Sequence, residues 1–443
     1  MDKSKVLELN VEHKIKFIDL QFTDLMGQVK AVTIPVNHLV HVIEDNIWFD
    51  GSSIEGFTRI SESDMYLKPD LSTYAVLPWT KGTQFPTARI ICDVFLPDGN
   101  PFPGAPRTVL KRQMELFKEK GYSMKVGVEL EFFLFKNDNG DLKPLPYDHA
   151  GYFDQSTDSG IVIRQEMAEA LQQMNMDVEA LHHEVATGQH EIATKYNDAL
   201  IVADNAMTFK FVVKAIAQKY GLKASFMPKP IAGINGSGMH THQSLWKDDT
   251  NLFYDGNSDD HLSMIGKHWI AGLLHHARAM TAVLNPTVNS YKRLVIGYEA
   301  PVYLSWATKN RSALIRVPMF TLGREKSVRC ELRSPDPSSN PYLALAVMAA
   351  AGLDGVEKQM KPPTPNNETN IFDISEEERR NQSIETLPAS LREALNELET
   401  NEMLKETLGN DLWTRFKFAK MKEWEEYSMQ VSQWEIDKYL NIL

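Results

Sequence analysis

Several short, strand-like segments of this chain carry ionisable side chains two residues apart, and this pattern constrains the fold more than any other feature. The segment VGVELEFFLF places Glu129 and Glu131 in this way among residues that favour burial. A β-strand sends residues i and i+2 to the same face. Two carboxylates side by side on an apolar strand resist burial unless a cation compensates them. The spacing therefore predicts strands that share a charged, cation-binding site.

The same spacing recurs in the segments GMHTHQSLW and SVRCELRSP. The residues that share a face are His240, His242 and Ser244 in the first segment and Arg329, Glu331 and Arg333 in the second. A further segment, LHHEVATGQHEIATKY, carries Glu184 and Glu191 at an odd spacing, which would put them on opposite faces of an unbroken strand. Gly188 lies between them and lets the chain turn, so that both acids reach one cavity.

These segments together supply a set of candidate metal ligands. They are Glu129, Glu131, Glu184, Glu191, His240 and Glu331. Oxygen-rich sets with an imidazole and no thiolate fit Mg²⁺ or Mn²⁺ better than zinc. Each segment also has a structural alternative when it is taken alone. A buried histidine can be a hydrogen-bonded core residue, an E-x-E pair can lie on an exposed edge, and Glu331 between two arginines can belong to an ion-pair ladder.

A cationic stretch follows in SYKRLVIGYEAPVYLSWATKNRSALIRVP. Its basic residues are Lys292, Arg293, Lys309, Arg311 and Arg316. Apolar neighbours favour partial burial, where an arginine needs an anionic partner such as phosphate or carboxylate. Metal ions combined with several arginines are what phosphoryl transfer requires. A surface salt bridge is the alternative for any one of these arginines. The glycine-rich turn NGSGMH would let the backbone approach a ligand, but it is not a P-loop.

The overall composition excludes several classes of protein. A net charge of −12 argues against a nucleic-acid binder, although a local basic cluster can still bind an anionic substrate. The two cysteines, Cys92 and Cys330, favour a reducing compartment and cannot form a thiolate metal site. No apolar run approaches the roughly 20 residues of a membrane helix, and the N-terminus lacks the core of a signal peptide. We therefore expect a cytoplasmic protein that binds neither nucleic acid nor membrane.

A segment rich in proline and glycine, PDGNPFPGAPR, predicts a domain boundary near residues 97–108. Before it, KFIDLQFT and QVKAVTIP have the alternation of strands. After it, TVLKRQMELFKEKG predicts a helix from Thr108 to Gly121, and PYLALAVMAAAGL predicts a buried helix. No internal repeat occurs. Intermixed helices and strands predict an α+β catalytic domain after a smaller N-terminal domain.

At this point the motifs resemble those of a known family. FDGSSIEGF, GVELEFFLF, HHEVATGQHE, MPKP, NGSGMHTHQSL, NPTVNSYKRL, GYEAP, NRSALIR and ELRSPDPSSNPYLALA look like the successive signatures of prokaryotic glutamine synthetases. The resemblance runs from about residue 15 to the end and is closest to the shorter, I-alpha branch. It implies an N-terminal β-grasp domain over residues 1–103 and a catalytic domain over 104–443, in which an antiparallel sheet lines the active site. It also implies a dodecamer of two hexameric rings, with active sites between subunits.

The resemblance assigns roles to individual residues. Metal ligands are Glu131, Glu184 and Glu191 beside glutamate and ammonia, and Glu129, His240 and Glu331 on the ATP phosphates. ATP-binding residues are Glu179, Tyr196, His242, Ser244, Arg311, Arg316 and Arg329. Glutamate-binding residues are Asn235, Gly236, Arg293, Glu299 and Arg333. The catalytic residues are Asp50, Glu299 and Arg311. Asp50 and Ser53 belong to a segment that the adjacent subunit contributes to the site.

The implied reaction joins ammonium to L-glutamate at the expense of ATP, with two or more Mg²⁺ or Mn²⁺ ions per subunit. The side-chain carboxylate of glutamate attacks the γ-phosphate and gives γ-glutamyl phosphate. Ammonium loses a proton to Asp50, and ammonia then displaces phosphate. Glu299 shields the intermediate from water, which would otherwise hydrolyse it.

Regulation and a few departures from the family pattern stay open. Arg59 matches the position of glutamine feedback in the I-alpha branch, whereas archaeal relatives are activated by 2-oxoglutarate. Phe372 stands at the position that the longer branch modifies with AMP, so we do not expect adenylylation. We expect control by reversible ligands or by a regulatory protein partner instead. Ile296 replaces a proline of the flap, Thr187 replaces another proline, and the loop at 319–327 is longer and more charged than usual.

Other functions remain as alternatives. A ligase that joins glutamate to a bulkier amine would change FDGSSIEGF, which is intact here. A catalytically dead relative would have lost metal ligands, and a two-metal phosphatase or nuclease would not need this set of arginines.

Overall fold

The computed structural model describes residues 1–54, 64–138, 141–144, 150–296, 300–308, 310–367, 371–372, 376–381 and 384–443. Among these residues, no helix is both long enough and apolar enough to span a bilayer.

A small mixed sheet with two helices forms the N-terminal part of the chain. Its elements are α1 Lys3–Glu12, β1 Phe17–Thr23, β2 Val29–Pro35, α2 Leu39–Asp45, β3 Ile47–Asp50, β4 Asp64–Pro69, β5 Ala75–Val76 and β6 Thr87–Phe95. The strand order is β2-β1-β6-β4-β3, and β5 pairs with β6. Strands β1 and β6 run parallel, while the other described pairs are antiparallel. Alternating apolar residues such as Ile18 and Leu20 point into a core of their own. The sequence therefore predicted β1 and β2 correctly.

The catalytic part is built around a second, larger sheet. Its strands are β7 Ser123–Asp138, β8 Asp141–Pro144, β9 Val178–His183, β10 Gln189–Thr194, β11 Asn197–Asp198, β12 Leu222–Ser225, β13 Met239–Lys247, β14 Thr250–Asn251, β15 Trp306–Ala307, β16 Ile315–Arg316 and β17 Cys330–Leu332. The path through the sheet is β15-β16-β17-β13-β7-β10-β9. The expected antiparallel sheet is present, except that β15 and β16 pair in parallel.

Helices cover one side of this sheet and form the main core. They are α3 Pro106–Glu119, α4 Ile161–Gln173, α5 Ala199–Lys219, α6 Met264–Leu284, α7 Ser290–Arg293, α8 Pro341–Glu357, α9 Glu376–Asn381, α10 Leu391–Glu399, α11 Glu402–Leu408, α12 Asn410–Ser428 and α13 Gln433–Tyr439. Helix α8 is apolar on all faces and nearly all of it is buried, as the sequence predicted. Helix α3 begins at Pro106 and ends at Glu119, two residues earlier at each end than predicted. Proline suits the first turn because its missing N–H has no helical partner there.

The strand register aligns the ionisable residues across the sheet. Glu131 on β7 lies opposite Glu191 on β10, and Glu129 on β7 lies opposite His240 on β13. On the far side of β13, His242 lies opposite Glu331 on β17. Directly opposed residues on one face bring their side chains into contact. A continuous line of acids and imidazoles therefore crosses the sheet from β10 to β17.

Candidate active site

One acidic cluster sits on the hairpin of β9 and β10. Ligand atoms of His182, Glu184 and Glu191 all lie within 4.8 Å of one another. Gly188 in the turn has a φ of +69°, a backbone conformation that residues other than glycine rarely adopt. This turn brings Glu184 back towards Glu191, as the sequence predicted for the two acids.

The charges in this cluster are not balanced. Burial, followed by the negative charges of Glu131 and Glu191, raises the pKa of Glu184 to about 8. Burial also raises the pKa of Glu191. A hydrogen bond to Glu191 raises the pKa of His182 to about 9. Carboxylates held this close are all ionised at neutral pH only beside a cation, and otherwise one of them keeps its proton. The oxygen and imidazole donors of this cluster fit a hard divalent ion such as Mg²⁺ or Mn²⁺.

Glu131 is held beside this cluster through one of its two carboxylate oxygens. Its Oε2 accepts hydrogen bonds from the side-chain amide of Gln189 at 2.9 Å and from the backbone N–H of Gly238 at 2.8 Å. The same Gln189 amide donates to the carbonyl of Gly236 at 3.1 Å. These two donors leave Oε1 as the oxygen of Glu131 that can bind a cation.

A second cluster lies between β7, β13 and β17. Ligand atoms of Glu129, His242 and Glu331 fall within 4.8 Å of one another. Nδ1 of His240 lies 3.2 Å from Glu129 and 3.6 Å from Glu331, so the predicted ligand His240 borders the same space. The structure therefore places both histidines at this cluster, with His242 closer to Glu129 at 2.8 Å and His240 within 3.6 Å of Glu331. Although burial acts to raise it, hydrogen bonds from His240 and His242 hold the pKa of Glu129 well below its usual range.

Arginines surround the second cluster. Nε of Arg316 lies 2.5 Å from Oε2 of Glu331, and Nε of Arg333 lies 3.2 Å from Oε1. Nε of Arg329 donates to Nδ1 of His242 at 3.1 Å, which leaves Nε2–H of that ring to donate to Glu129 at 2.8 Å. Burial acts to raise the pKa of Glu331, but the nearby imidazoles and arginines lower it. Glu331 is thus both a partner in an ion-pair ladder and a candidate ligand.

A polar cavity of about 320 Å³ opens beside the two clusters. Its lining residues are Glu131, Tyr152, Glu184, Gln189, Asn235, Gly236, His240, Arg293, Asn310, Arg311, Ser312, Arg333 and Phe372. Most of the predicted glutamate-binding residues therefore share one cavity with three of the predicted metal ligands, Glu131, Glu184 and His240. The guanidinium of Arg293 is held in place by Nη1, which donates to the carbonyl of Ser334 at 2.7 Å.

Of the predicted nucleotide-binding residues, Arg311 lines this cavity, whereas the others extend from the second cluster and do not line it. Tyr196 packs close to Gly127 and His242 and is 45% exposed. Ser244 accepts a hydrogen bond from the indole of Trp246 at 2.8 Å. The charge of Glu179 acts on Arg329, which places those two side chains near each other.

Several predicted residues are not part of this arrangement. Asp50 ends β3 and accepts hydrogen bonds from the backbone and hydroxyl of Ser52, and it does not line the cavity. Arg59, Glu299 and Lys309 lie outside the described residues, as does the side chain of Ser53. Ile296 is described and 54% exposed.

The structure also identifies site residues that the sequence analysis missed. Gln189 lies two residues before Glu191 on β10, so the alternation rule would have found it, and His182 lies on β9 two residues before Glu184. The hydroxyl of Tyr152 hydrogen-bonds Glu184. Tyr152 lies between elements and carries no pattern that marks it.

Comparisons with known proteins agree with this geometry. The family model described as the glutamine synthetase catalytic domain matches residues 103–439, and that of the glutamine synthetase beta-Grasp domain matches residues 14–97. The chain is 52% identical to glutamine synthetase of Clostridium saccharobutylicum over 441 residues, covering 99% of this chain and 98% of that protein. It is 50% identical to glutamine synthetase of Methanosarcina mazei over 443 residues, covering 100% of this chain and 98% of that protein.

Solved structures of related proteins have the same fold. A GmaS/ADP complex in conformation 1 superposes with a TM-score of 0.89 at 33% identity, covering 98% of this chain and 99% of that one. A cryo-EM structure of Plasmodium falciparum glutamine synthetase gives a TM-score of 0.87 at 26% identity, covering 99% of both chains. The β-grasp and catalytic parts of the fold expected from the sequence are confirmed. With about half of its residues identical to curated relatives over nearly its full length, the chain belongs to the glutamine synthetase family.

Proposed function

We propose that this enzyme ligates ammonia to L-glutamate through γ-glutamyl phosphate, with ATP as the phosphoryl donor. The observation that supports this most is that two acid–imidazole clusters lie along a single line of paired strands, beside a polar cavity lined by arginines. Cation sites next to arginines suit the joining of a phosphate donor to a carboxylate substrate.

Each cluster would hold at least one Mg²⁺ or Mn²⁺ ion. Glu131, Glu184 and Glu191 would hold the first, with His182 beside them, and Glu129, His240 and Glu331 would hold the second, with His242 beside them. The raised pKa of Glu184, which burial and neighbouring carboxylates cause, fits a missing positive charge. The bound ions would neutralise phosphate charge and orient the transferred group.

The arginines divide into a set for the phosphates of ATP and a set for the carboxylates of glutamate. Arg311 and Arg316 would bind the phosphates of ATP, and Arg293 and Arg333 the carboxylates of glutamate. Asn235 and the backbone of Gly236 complete the glutamate site in the same cavity. This arrangement would set the side-chain carboxylate of glutamate in line with the γ-phosphate. One carboxylate oxygen then bonds to phosphorus while the bond to ADP breaks.

The second step requires ammonium to lose a proton beside the acyl phosphate. Tyr152 and Glu184 form one wall of the cavity at that point and would orient the ammonium ion. Asp50 of a neighbouring subunit would accept this proton, because Asp50 does not line the cavity of its own chain. Ammonia then displaces phosphate, which leaves with the oxygen that came from glutamate. Glu299 would exclude water from the intermediate.

The oligomer, the compartment and the domain boundary complete the proposal. A site shared between subunits supports a ring assembly, which we propose to be a dodecamer of two hexameric rings. Both cysteines, Cys92 and Cys330, are buried and free, which favours the cytoplasm. We place the domain boundary between residues 103 and 104.

A purified-protein assay tests the proposed reaction. We expect release of phosphate and formation of glutamine only when ATP, glutamate, ammonium and Mg²⁺ or Mn²⁺ are all present. Methylamine in place of ammonium should give little product. Efficient turnover with methylamine, or phosphate release without an amine acceptor at a comparable rate, would contradict glutamine synthesis as the main activity.

A further inference from the structure

A second, larger cavity lies away from the candidate active site. It measures about 870 Å³, within the usual range of small-molecule pockets. Its walls come from the turn between β1 and β2, from α5 and β12, and from α12. None of its lining residues lines the cavity of the candidate active site.

One wall of this cavity is cationic. Lys210 and Lys214 on α5 and Lys223 on β12 line it. In the described part of the chain, no carboxylate lies within ion-pair distance of these three amines, and the amine of Lys210 donates instead to the carbonyl of Ser339 at 3.0 Å. We refer to these residues as the lysine wall.

The opposite wall on α12 does not neutralise the lysine wall. Its acids are engaged by lysines of the same helix: Glu423 lies 2.9 Å from Lys420, and Glu426 lies 3.8 Å from Lys422. Glu423 also accepts a hydrogen bond from the backbone N–H of Val288 at 3.0 Å.

The three lysines differ in exposure, because Lys210 is buried whereas Lys214 and Lys223 are more exposed. Burial, followed by the charge of Lys214, lowers the pKa of Lys210 to about 7, although Asp336 acts in the opposite direction. Burial and the charge of Lys223 lower the pKa of Lys214. Like charges gathered without a counter-ion destabilise a fold, and a bound anion removes that penalty.

We propose that this cavity is a second ligand site, which takes a small polyvalent anion carrying phosphate or carboxylate groups. The lysine wall binds the charged groups. The apolar side chains of Met26, Phe211 and Phe226 contact the carbon skeleton. Such a ligand would contact the N-terminal turn and the catalytic helices together.

Calorimetric titration of the full-length enzyme with pyrophosphate and with citrate, each in metal-free buffer, tests the proposal. Besides any binding at Arg311 and Arg316, we expect one site per chain that the double variant Lys214→Met/Lys223→Met weakens by about tenfold or more, because two charge-assisted contacts are lost. Methionine keeps the aliphatic packing of lysine, so the fold should be retained. Lys219→Met is the matched control, since Lys219 lies on the same helix but pairs with Glu166 and does not line the cavity.

The two probes distinguish the source of the negative charge. A site for pyrophosphate alone identifies a phosphate-bearing ligand, and a site for citrate alone identifies a polycarboxylate. Binding of neither anion at about 10 mM would overturn the proposal. Binding that the double variant leaves unchanged would also overturn it. So would a solved assembly in which carboxylates of a second copy of the chain sit on Lys214 and Lys223.

Discussion

Gln189 shows how a single uncharged residue can set the geometry of the site. Its side-chain oxygen accepts from the backbone N–H of Ala186 at 3.3 Å, which fixes the orientation of the amide. Its nitrogen must therefore face Glu131 and the carbonyl of Gly236. Gln189 thus joins a proposed metal ligand to the proposed glutamate-binding loop, and it acts as a positioning residue.

We predict that Gln189→Glu lowers kcat by about 10- to 100-fold, the usual effect of losing a partner that orients a metal ligand. The substitution keeps the shape of the side chain but removes the donor and adds a negative charge beside Glu131. Steady-state kinetics at several Mn²⁺ concentrations would measure the effect, which should include weaker Mn²⁺ binding. The control is Gln173→Glu, at an exposed position on α4. Wild-type kinetics for Gln189→Glu would contradict this role.

His276 makes stability depend on pH through a purely structural contact. Its Nδ1 accepts from the side-chain amide of Asn401 at 2.8 Å, and its Nε2–H donates to Asp354 at 2.9 Å. The oxygen of Asn401 accepts from the N–H of Leu404, which fixes the amide nitrogen towards the ring. Burial, which outweighs the hydrogen bond with Asp354, lowers the pKa of His276 below 6.5.

A histidine that stays neutral in the fold binds fewer protons than in the unfolded chain once the pH falls below 6.5. Stability is therefore complete above that pH and decreases as the pH falls towards the folded pKa. We predict that His276→Gln shows a smaller decrease in Tm than wild type between about pH 7 and about pH 5. His275→Gln, at the exposed neighbouring position, is the control. Parallel curves of Tm against pH for His276→Gln and wild type would refute the prediction.

Among the elements, the β9–β10 hairpin supplies all three residues of the first cluster, His182, Glu184 and Glu191. Gly188 adopts a φ of +69° in its turn, and this conformation lets Glu184 and Glu191 meet. We predict that Gly188→Ala costs about 1 kcal/mol in stability, because an alanine at positive φ is strained. It should also lower glutamine formation, because the two acids separate.

Gly121→Ala provides a matched control for this strain. Gly121 has a φ of +74°, no atom lies within 4 Å of an added Cβ, and the residue lies between α3 and β7, outside both clusters. Thermal unfolding and activity should be measured for both variants. Equal activities in the two would mean that the turn does not position the acids.

Some elements could be predicted from the sequence, whereas their pairing could not. The alternation in β1 and the apolar run of α8 are local patterns, and both predictions were confirmed. The register that sets Glu131 opposite Glu191 and His242 opposite Glu331 depends on which strands pair, and no local pattern encodes it. For the same reason the sequence did not reveal that His242 would lie closer than His240 to Glu129, or that Tyr152 would reach Glu184.

At the scale of the whole molecule, a buried charge network joins the N-terminal sheet to the catalytic helices. Arg107 at the start of α3 bonds Asp204 on α5 at 2.9 and 2.8 Å, Asp93 on β6 at 2.7 Å, and Asp70 at 2.8 Å. Breaking a buried pair by removing one partner leaves uncompensated charge. We predict that Arg107→Met costs about 3–5 kcal/mol in stability, measured by denaturant unfolding.

Arg112→Met on the same helix is the control for this network. Arg112 is exposed and donates to the carbonyl of Thr407 at 2.6 Å, so its replacement should cost far less. A loss of stability for Arg107→Met that is no larger than that of Arg112→Met would show that the network does not hold the two parts together.

The proposed sharing of the active site is also a property of the assembly. Asp50→Ala and Arg333→Ala should each be nearly inactive, because one removes the proposed proton acceptor and the other a proposed glutamate ligand. After subunit exchange in an equal mixture, about a quarter of the sites should combine an intact Asp50 with an intact Arg333, and activity should recover to that extent. No recovery after exchange proven by mass spectrometry would place both residues in one subunit's site.

The central claim is that glutamine forms through γ-glutamyl phosphate, and the path of one oxygen atom tests it directly. Glutamate labelled with oxygen-18 in its side-chain carboxylate should be incubated with the enzyme, ATP and ammonium, and the released phosphate analysed by mass spectrometry. Because a carboxylate oxygen attacks phosphorus and leaves with it, each phosphate should carry one labelled oxygen. Unlabelled phosphate alongside stoichiometric glutamine would contradict the claim.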